Sequence, residues 1–277
     1  VSLAGTWKYV PSAEYISGKF YIYGVGKDSF TNRPEFSIQM NASSPTLLYN
    51  AMIAPLIPYN FKGAIWYQGE ANVGRSTQYK VLLPAMITSW RDAFNHGDFS
   101  FYVVQIAPYN YSTLEDPASA YIRDAQLSVL NLSNTGVVST LDIGSSATIH
   151  PGNKTDVGGR LALWALAKDY GQTELVYSGP IYESAQIEEG KIRLTFESVG
   201  GGLLLKPAKT SGFIIAGEDK NFMPAEVKID GNDLLVYSKS VKNPVAVRYS
   251  FNNVPDVTLF NTEGLPAPTF KTDDWAE

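Results

Sequence analysis

Cysteine does not occur among the 277 residues, which excludes disulfide frameworks, thiolate nucleophiles and cysteine-ligated metals. Histidine is nearly as scarce: His96 and His150 are the two copies. Their separation suits no zinc site, so no metal and no cofactor are expected, although a carboxylate-held Ca²⁺ in the C-terminal third stays open. No apolar run approaches the roughly 20 residues that span a bilayer, and Val1-Ser2-Leu3-Ala4-Gly5 has neither the basic start nor the apolar stretch of a signal peptide. Lysines and arginines are scattered singly over a chain of net charge −5, so the basic footprint of a nucleic-acid binder is missing. Neither nucleic acid nor membrane is expected as a partner.

What is present suits a packed core. With 44% hydrophobic and 18% charged residues the chain can bury one large domain or two smaller ones. Aromatics are abundant, with 17 Tyr and 5 Trp, a composition that suits ring stacking on sugars, though an ordinary packing role is the commoner fate of any single ring.

Three regions follow one another. Residues 1–45 carry short strand-like stretches, Leu3 to Tyr9 and Phe20 to Tyr23, without a core of their own, and read as the end of a preceding β segment. Residues 46–171 alternate apolar strands with amphipathic helices. The expected strands are Gly63 to Tyr67, Phe101 to Val104 and Gly136 to Leu141. The expected helices run from Gln78 to Phe94, with Val81, Leu82, Ala85, Met86 and Trp90 as the apolar set, from Ala118 to Leu130, and from Lys154 to Tyr170. Such alternation predicts a parallel sheet covered on both faces, a three-layer α/β domain. From 172 to 277 the period drops to two, with Glu189-Gly190 and Asp230-Gly231 as hairpin turns, and a β-rich module is expected to pack on the α/β domain.

Ligand sites of parallel sheets form beyond the carboxyl ends of the strands. After Tyr67 comes Gln68-Gly69-Glu70-Ala71-Asn72, after Val104 comes Gln105, and after Leu141 comes Asp142, followed by the loop that holds His150. Three strand ends thus present polar residues at one rim. Gly69 lets backbone approach a ligand closely, and Glu70 can act as a base or orient a histidine. His96 follows a helix and suits a structural role at its last carbonyls. His150, in a loop of small polar residues, suits general-base chemistry on a serine.

Several blocks carry a family resemblance. Leu48 to Tyr59, Lys62 to Asn72, Arg123-Asp124-Ala125-Gln126, Asp142-Ile143-Gly144, Ile149 to Lys154 and Arg160 to Ala167 resemble the signature blocks of sialate O-acetylesterases, SGNH-type hydrolases, and the similarity extends to Trp275. The resemblance implies a flavodoxin-like core and hydrolysis of O-acetyl esters on sugars such as sialic acid through a serine acyl-enzyme, in a periplasmic or secreted setting. The family's serine lies in a Gly-Gln-Ser-Asn block, which this sequence does not contain. The nucleophile is therefore expected from an N-terminal segment outside this chain, of the same precursor or a separate polypeptide, and the chain alone is expected to be inactive. Many SGNH enzymes place an Asp three residues before the His, where this chain has Ala147. The resemblance to acetylxylan esterases then points to Glu70 as the triad acid, with Asp142 second and a Ser-His dyad as a further option. Gln68, or else Asn72, is the expected oxyanion donor, with Gly69 and Gln105 at the substrate. The competing functions are a non-catalytic carbohydrate-binding relative and a glycosidase using Glu70 and Asp142 as its carboxylate pair.

Overall fold

The computed structural model describes residues 13–17, 19–22, 35–36, 44 and 46–275. They fall into two compact units, Val1–Tyr59 and Asn60–Glu277. In the first, β1 (Ala13–Ile16), β2 (Lys19–Ile22) and β3 (Glu35–Phe36) form an antiparallel sheet in that order. A π-helical turn, Tyr49–Ile53, then runs into a 3-10 turn at Ala54–Leu56, with Pro55 at its start where no backbone donor is needed. The strand expected at 3–9 lies outside the described residues, and the one expected at 20–23 is β2.

The second unit begins with the α/β layers. Its strands β4 (Gly63–Trp66), β5 (Ser100–Val104) and β6 (Thr135–Val138) form a parallel sheet in the order β4-β5-β6. Between and after them come α1 (Ser76–Phe94), α2 (Ala118–Leu127) and α3 (Lys154–Lys168). The central strand β5 is buried at every position, as a strand covered on both faces must be. Its alternation divides the core: Phe101 meets Trp90 of α1, while Tyr102 and Val104 pack with Val157, Leu161 and Trp164 of α3. Helices α1 and α2 share one face and α3 takes the other, which gives the expected flavodoxin-like layering. Trp164 lies so close to β6 that a Cβ on Gly136 would stand 2.5 Å from its ring.

The interior face of α1 differs from the expected one. Tyr79, Leu83, Ile87, Arg91 and Phe94 are buried, and Val81 and Leu82 stand 68% and 50% exposed. Arg91 reaches the core side because its guanidinium donates to the carbonyls of Phe99 and Ser133, at 2.8 Å each. A polar residue thus occupies a helix position that a hydrophobicity count assigns to water.

The remainder is antiparallel. Strands β7 (Ile181–Glu188), β8 (Lys191–Glu197), β9 (Leu203–Leu205), β10 (Phe213–Ala216), β11 (Met223–Pro224), β12 (Glu226–Asp230), β13 (Asp233–Tyr237), β14 (Ala246–Tyr249), β15 (Leu259–Asn261) and β16 (Phe270–Lys271) form sheets β12-β13-β8-β7, β11-β10-β14-β16 and β15-β9. The two foreseen hairpins are present, with Glu188 opposite Lys191 and Asp230 opposite Asp233, and Gly190 and Gly231 at φ 69° and 65° supply the backbone that only glycine adopts cheaply. Ile192, Leu194, Phe213, Ile215, Leu234, Val236, Val247, Tyr249 and Phe270 fill the space between the larger sheets. The β part belongs to the same compact unit as the α/β layers. Asn253 ties the two, accepting at Oδ1 from the Ser119 N–H at 3.1 Å and donating to the Thr113 carbonyl at 2.9 Å.

Candidate active site

Beyond β4 the chain turns through Tyr67, Gln68 and Gly69 into a 3-10 turn, Glu70–Asn72. Gly69 has φ 157°, and a Cβ there would lie 2.8 Å from Ile106 Cγ2. No other residue fits without displacing β5's continuation. The turn is held from beneath by Gln126 of α2, which is fully buried. Gln126 Nε2 donates to the carbonyls of Gln68 (3.1 Å) and Val104 (3.2 Å), and its Oε1 accepts from the Ile106 N–H at 3.0 Å. One side chain therefore bolts the end of β4 to the end of β5.

Gln68 is fixed in turn. Its carbonyl and its Oε1 share the Tyr79 hydroxyl at 2.9 and 3.2 Å, and its Nε2 donates to Asn72 Oδ1 at 2.9 Å. The two expected oxyanion donors are thus bonded to each other. Because Asn72 accepts in that pair, its amide nitrogen keeps both hydrogens uncommitted among the described residues, which makes it the freer donor.

Gln105, expected at the rim, is instead fully buried, with Nε2 donating to the Arg123 carbonyl at 2.8 Å. The first residue after β5 turns inward because α2 offers it a carbonyl there. Thr140 Oγ1 donates to the Gln105 carbonyl at 2.8 Å and joins the ends of β5 and β6. Asp142 forms a two-pronged ion pair with Arg160 of α3, 2.7 Å at each oxygen, and the same guanidinium donates to the Ser139 carbonyl at 2.7 Å. Both carboxylate oxygens are taken up in fastening α3 to the loop after β6.

His150 is exposed at the far end of that loop. The loop is pinned at Ser145 N to the Pro108 carbonyl (3.2 Å), at Asn110 N to the Ser146 carbonyl (3.2 Å), and by the His150 N–H to Thr148 Oγ1 (3.0 Å). It ends where Asn153 caps α3, Oδ1 accepting from the Asp156 N–H at 3.2 Å. The His150 imidazole makes no hydrogen bond or ion pair with Glu70, Asp142 or any other described residue, so the expected contact between base and acid is not formed. The carboxylate of Glu70, half-buried, also has no hydrogen-bond or ion-pair partner among the described residues. Its charge is felt instead by neighbouring phenols: burial first, and Glu70 second, raise Tyr67 and Tyr111 above the ordinary tyrosine value. The Tyr67 ring lies under Lys154 Nζ at 4.7 Å. The His96 ring is set edge-on to Phe61 at 6.2 Å.

Arg123, Gln126 and Arg160 are the site's supports, and the pattern reading assigned them no role. Arg123 is fully buried and donates to Thr269 Oγ1 (2.9 Å), Ser119 Oγ (3.0 Å) and the Asn252 carbonyl. Burial lowers it to about 9, with the Tyr111 phenol opposing the shift. The available signal was the spacing of Arg123 and Gln126, i and i+3, on a helix face otherwise made of the small or apolar Ser119, Ala120, Ile122 and Ala125.

Residues 37–166 match the family model described as a carbohydrate esterase, sialic acid-specific acetylesterase. The chain is 30% identical over 215 residues to the sialate O-acetylesterase of Homo sapiens, a match covering 70% of this chain and 40% of that protein. It is 28% identical over 255 residues to the Mus musculus enzyme of that name, covering 81% and 47%. The crystal structure of a carbohydrate acetylesterase from Xanthomonas citri aligns with TM-score 0.79 and 42% identity over 83% of this chain and 55% of that one. The chain thus spans about half the length of the relatives it matches. The matched block runs from before β4 into α3 and takes in every rim residue from Gln68 to Arg160, and through it the chain is similar to the sialic acid-specific acetylesterases among the carbohydrate esterases.

Proposed function

We propose that the chain supplies the histidine base and the Gln68-Gly69-Glu70 rim of an enzyme that hydrolyses O-acetyl esters on carbohydrates such as sialic acid. The nucleophile in this reading is a serine carried by a polypeptide segment outside these 277 residues. Its Oγ attacks the acetyl carbonyl while the imidazole of His150 takes the hydroxyl proton. Collapse of the tetrahedral intermediate expels the sugar alkoxide, which receives that proton, and leaves acetyl-serine. Water, deprotonated by the same imidazole, then releases acetate and restores the serine.

The observation that supports this reading is a contrast in commitment. The Gln105 amide nitrogen and both Asp142 oxygens are spent on structural contacts, whereas the His150 imidazole and the Glu70 carboxylate have no partner among the described residues. A base must be free to receive the nucleophile's proton, and the acid that orients it must be free to pair with it once the serine is in position. The engagement of Asp142 with Arg160 counts against a glycosidase, which needs that carboxylate as half of its pair.

The test is incubation of the purified chain with 4-nitrophenyl acetate and a serine-directed phosphonate. The chain alone is expected to be inert, and the longer polypeptide active and labelled at one serine. Robust turnover by the 277 residues, with phosphonate on any of their own serines, would overturn the proposal.

A further inference from the structure

We infer that the cleft at the start of β4, β5 and β6, the end of the sheet opposite the rim, is a binding site for a neutral saccharide unit, held through its hydroxyl groups by Asp169, Lys168 and Lys62. The cleft has a volume of about 620 Å³, within the roughly 300–1,000 Å³ of clefts that take small ligands. Its walls come from the residues that lead into the three strands, from the C-terminal end of α3, and from the start of β7 and the end of β8. The length of β5 alone puts about 13 Å between this cleft and the rim, so the two are separate.

Asp169 is what distinguishes the cleft from a mere seam between layers. It is the C-cap of α3, where the helix dipole disfavours negative charge, and no cation pairs with it among the described residues. Two hydroxyls of β5 fix it instead. Ser100 Oγ donates to one carboxylate oxygen and the Tyr102 hydroxyl to the other, the latter at 2.7 Å. Both donors belong to buried residues, 6% and 3% exposed. Burial above all pushes Tyr102 up to about 12, with Ser100 opposing and Asp169 adding to the shift, so the phenol remains a proton donor. A carboxylate oxygen can accept more than one hydrogen bond, and each of these accepts a single one from the described residues. A structural tie at a helix C-terminus is better made by a lysine or arginine. A carboxylate locked there by two buried donors is a pre-aimed acceptor.

The ligand class follows from what shares the cleft with that acceptor. Lys62 and Lys168 line it and form no ion pair among the described residues, and Lys168 Nζ stands over the Tyr177 ring at 4.2 Å. Tyr177 in turn meets Trp164 edge-on at 4.6 Å, which gives the cleft an apolar wall beside its charged groups. A sugar hydroxyl is donor and acceptor at once, so it can donate to a carboxylate while accepting from an ammonium. The C–H face of the same sugar ring then suits the aromatic wall. An anion would meet Asp98, Asp169 and Glu197, which also line the cleft, and is therefore the poorer fit. Such a site anchors the protein to a glycan and needs neither the serine nor His150, so it stands or falls apart from the proposed hydrolysis.

The experiment is an amide NMR titration of this chain with cellobiose, xylobiose and lactose, with N-acetylneuraminic acid and inorganic phosphate as anionic probes, repeated on Lys168→Ala and Asp169→Asn. Saturable shifts are expected with at least one neutral disaccharide at the amides of Ser100, Thr135, Lys168 and Asp169 and at the Trp164 indole N–H. Each variant should weaken that binding by about tenfold. Lys168 is exposed, so Lys168→Ala should melt like the parent and tests the site even where Asp169→Asn lowers stability. No shift at these positions with any of the neutral disaccharides, equal affinity in the parent and Lys168→Ala, or shifts produced by the anionic probes alone would each overturn the inference.

Discussion

Asp124→Asn is expected to stabilise the protein at pH 8 and to leave it nearly unchanged at pH 4. Asp124 sits on α2 facing the end of the β part, and burial raises it to about 6 from an ordinary value of 3.8. Lys271 and Lys80 act against the shift, Asp273 adds to it and Arg248 opposes it. The cations nearby have other obligations: Arg248 forks onto Asp273 at 2.8 and 2.9 Å, and Lys271 Nζ donates to the Trp275 carbonyl at 3.0 Å. A carboxyl with a raised folded value binds its proton more tightly in the folded than in the unfolded chain. Its contribution is therefore neutral below about pH 4 and becomes a penalty as the pH rises through about 6. A shift of this size corresponds to about 3 kcal/mol, and allowing for partial solvation about 1–3 kcal/mol should be recovered when the ionisable group is removed. Urea unfolding of parent and variant at several pH values measures this directly, because all other titrating groups cancel in the difference. A difference that does not change with pH, or a variant less stable than the parent at pH 8, would refute the reasoning.

Gly136→Ala should cost about 1–3 kcal/mol in the same unfolding assay, since its Cβ would stand 2.5 Å from the buried Trp164 ring. Gly69→Ala meets Ile106 and Gln126 and takes a strained φ, and a comparable loss is expected together with displacement of the Gln68 carbonyl, readable as altered exchange at Gly69 and Glu70. In the complete enzyme Asn72→Ala should lower kcat by more than Gln68→Ala does, by up to roughly 2.7–4 kcal/mol of transition-state stabilisation, because the Asn72 amide hydrogens are the uncommitted ones. Equal, unchanged turnover in both variants would exclude an oxyanion role for the pair.

Regular elements were legible in the sequence wherever a period ran without interruption. The helix at 154–168 and the strand at 100–104 lie within two residues of their expected bounds, and both hairpin turns fall where Glu189-Gly190 and Asp230-Gly231 announced them. The interior side of α1 was not legible, because Arg91 is buried by hydrogen bonds that a hydrophobicity count scores as exposure, and because Val81 and Leu82 are left uncovered. The rim was legible as a set of strand ends but not in the direction of its side chains. Gln105 turns toward a carbonyl of α2, and Asp142 toward an arginine 18 residues further on. Both choices depend on which helix packs over which strand end, and no local spacing encodes that.

The burial of Arg123 also sets a limit on how the protein can be divided. Two of the groups that receive its guanidinium, Thr269 Oγ1 and the Asn252 carbonyl, come from the C-terminal β part, and only Ser119 is local. A minimal α/β core cut at the apparent joint near residue 172 would unroof a cation and strip most of its acceptors. The same cut would remove Asn253, which fastens the 109–119 segment beside the rim. The architecture therefore behaves as one cooperative folding block across a boundary that its secondary structure suggests is a seam. Efforts to shrink or recombine this chain have to move the β part together with the helix it seals.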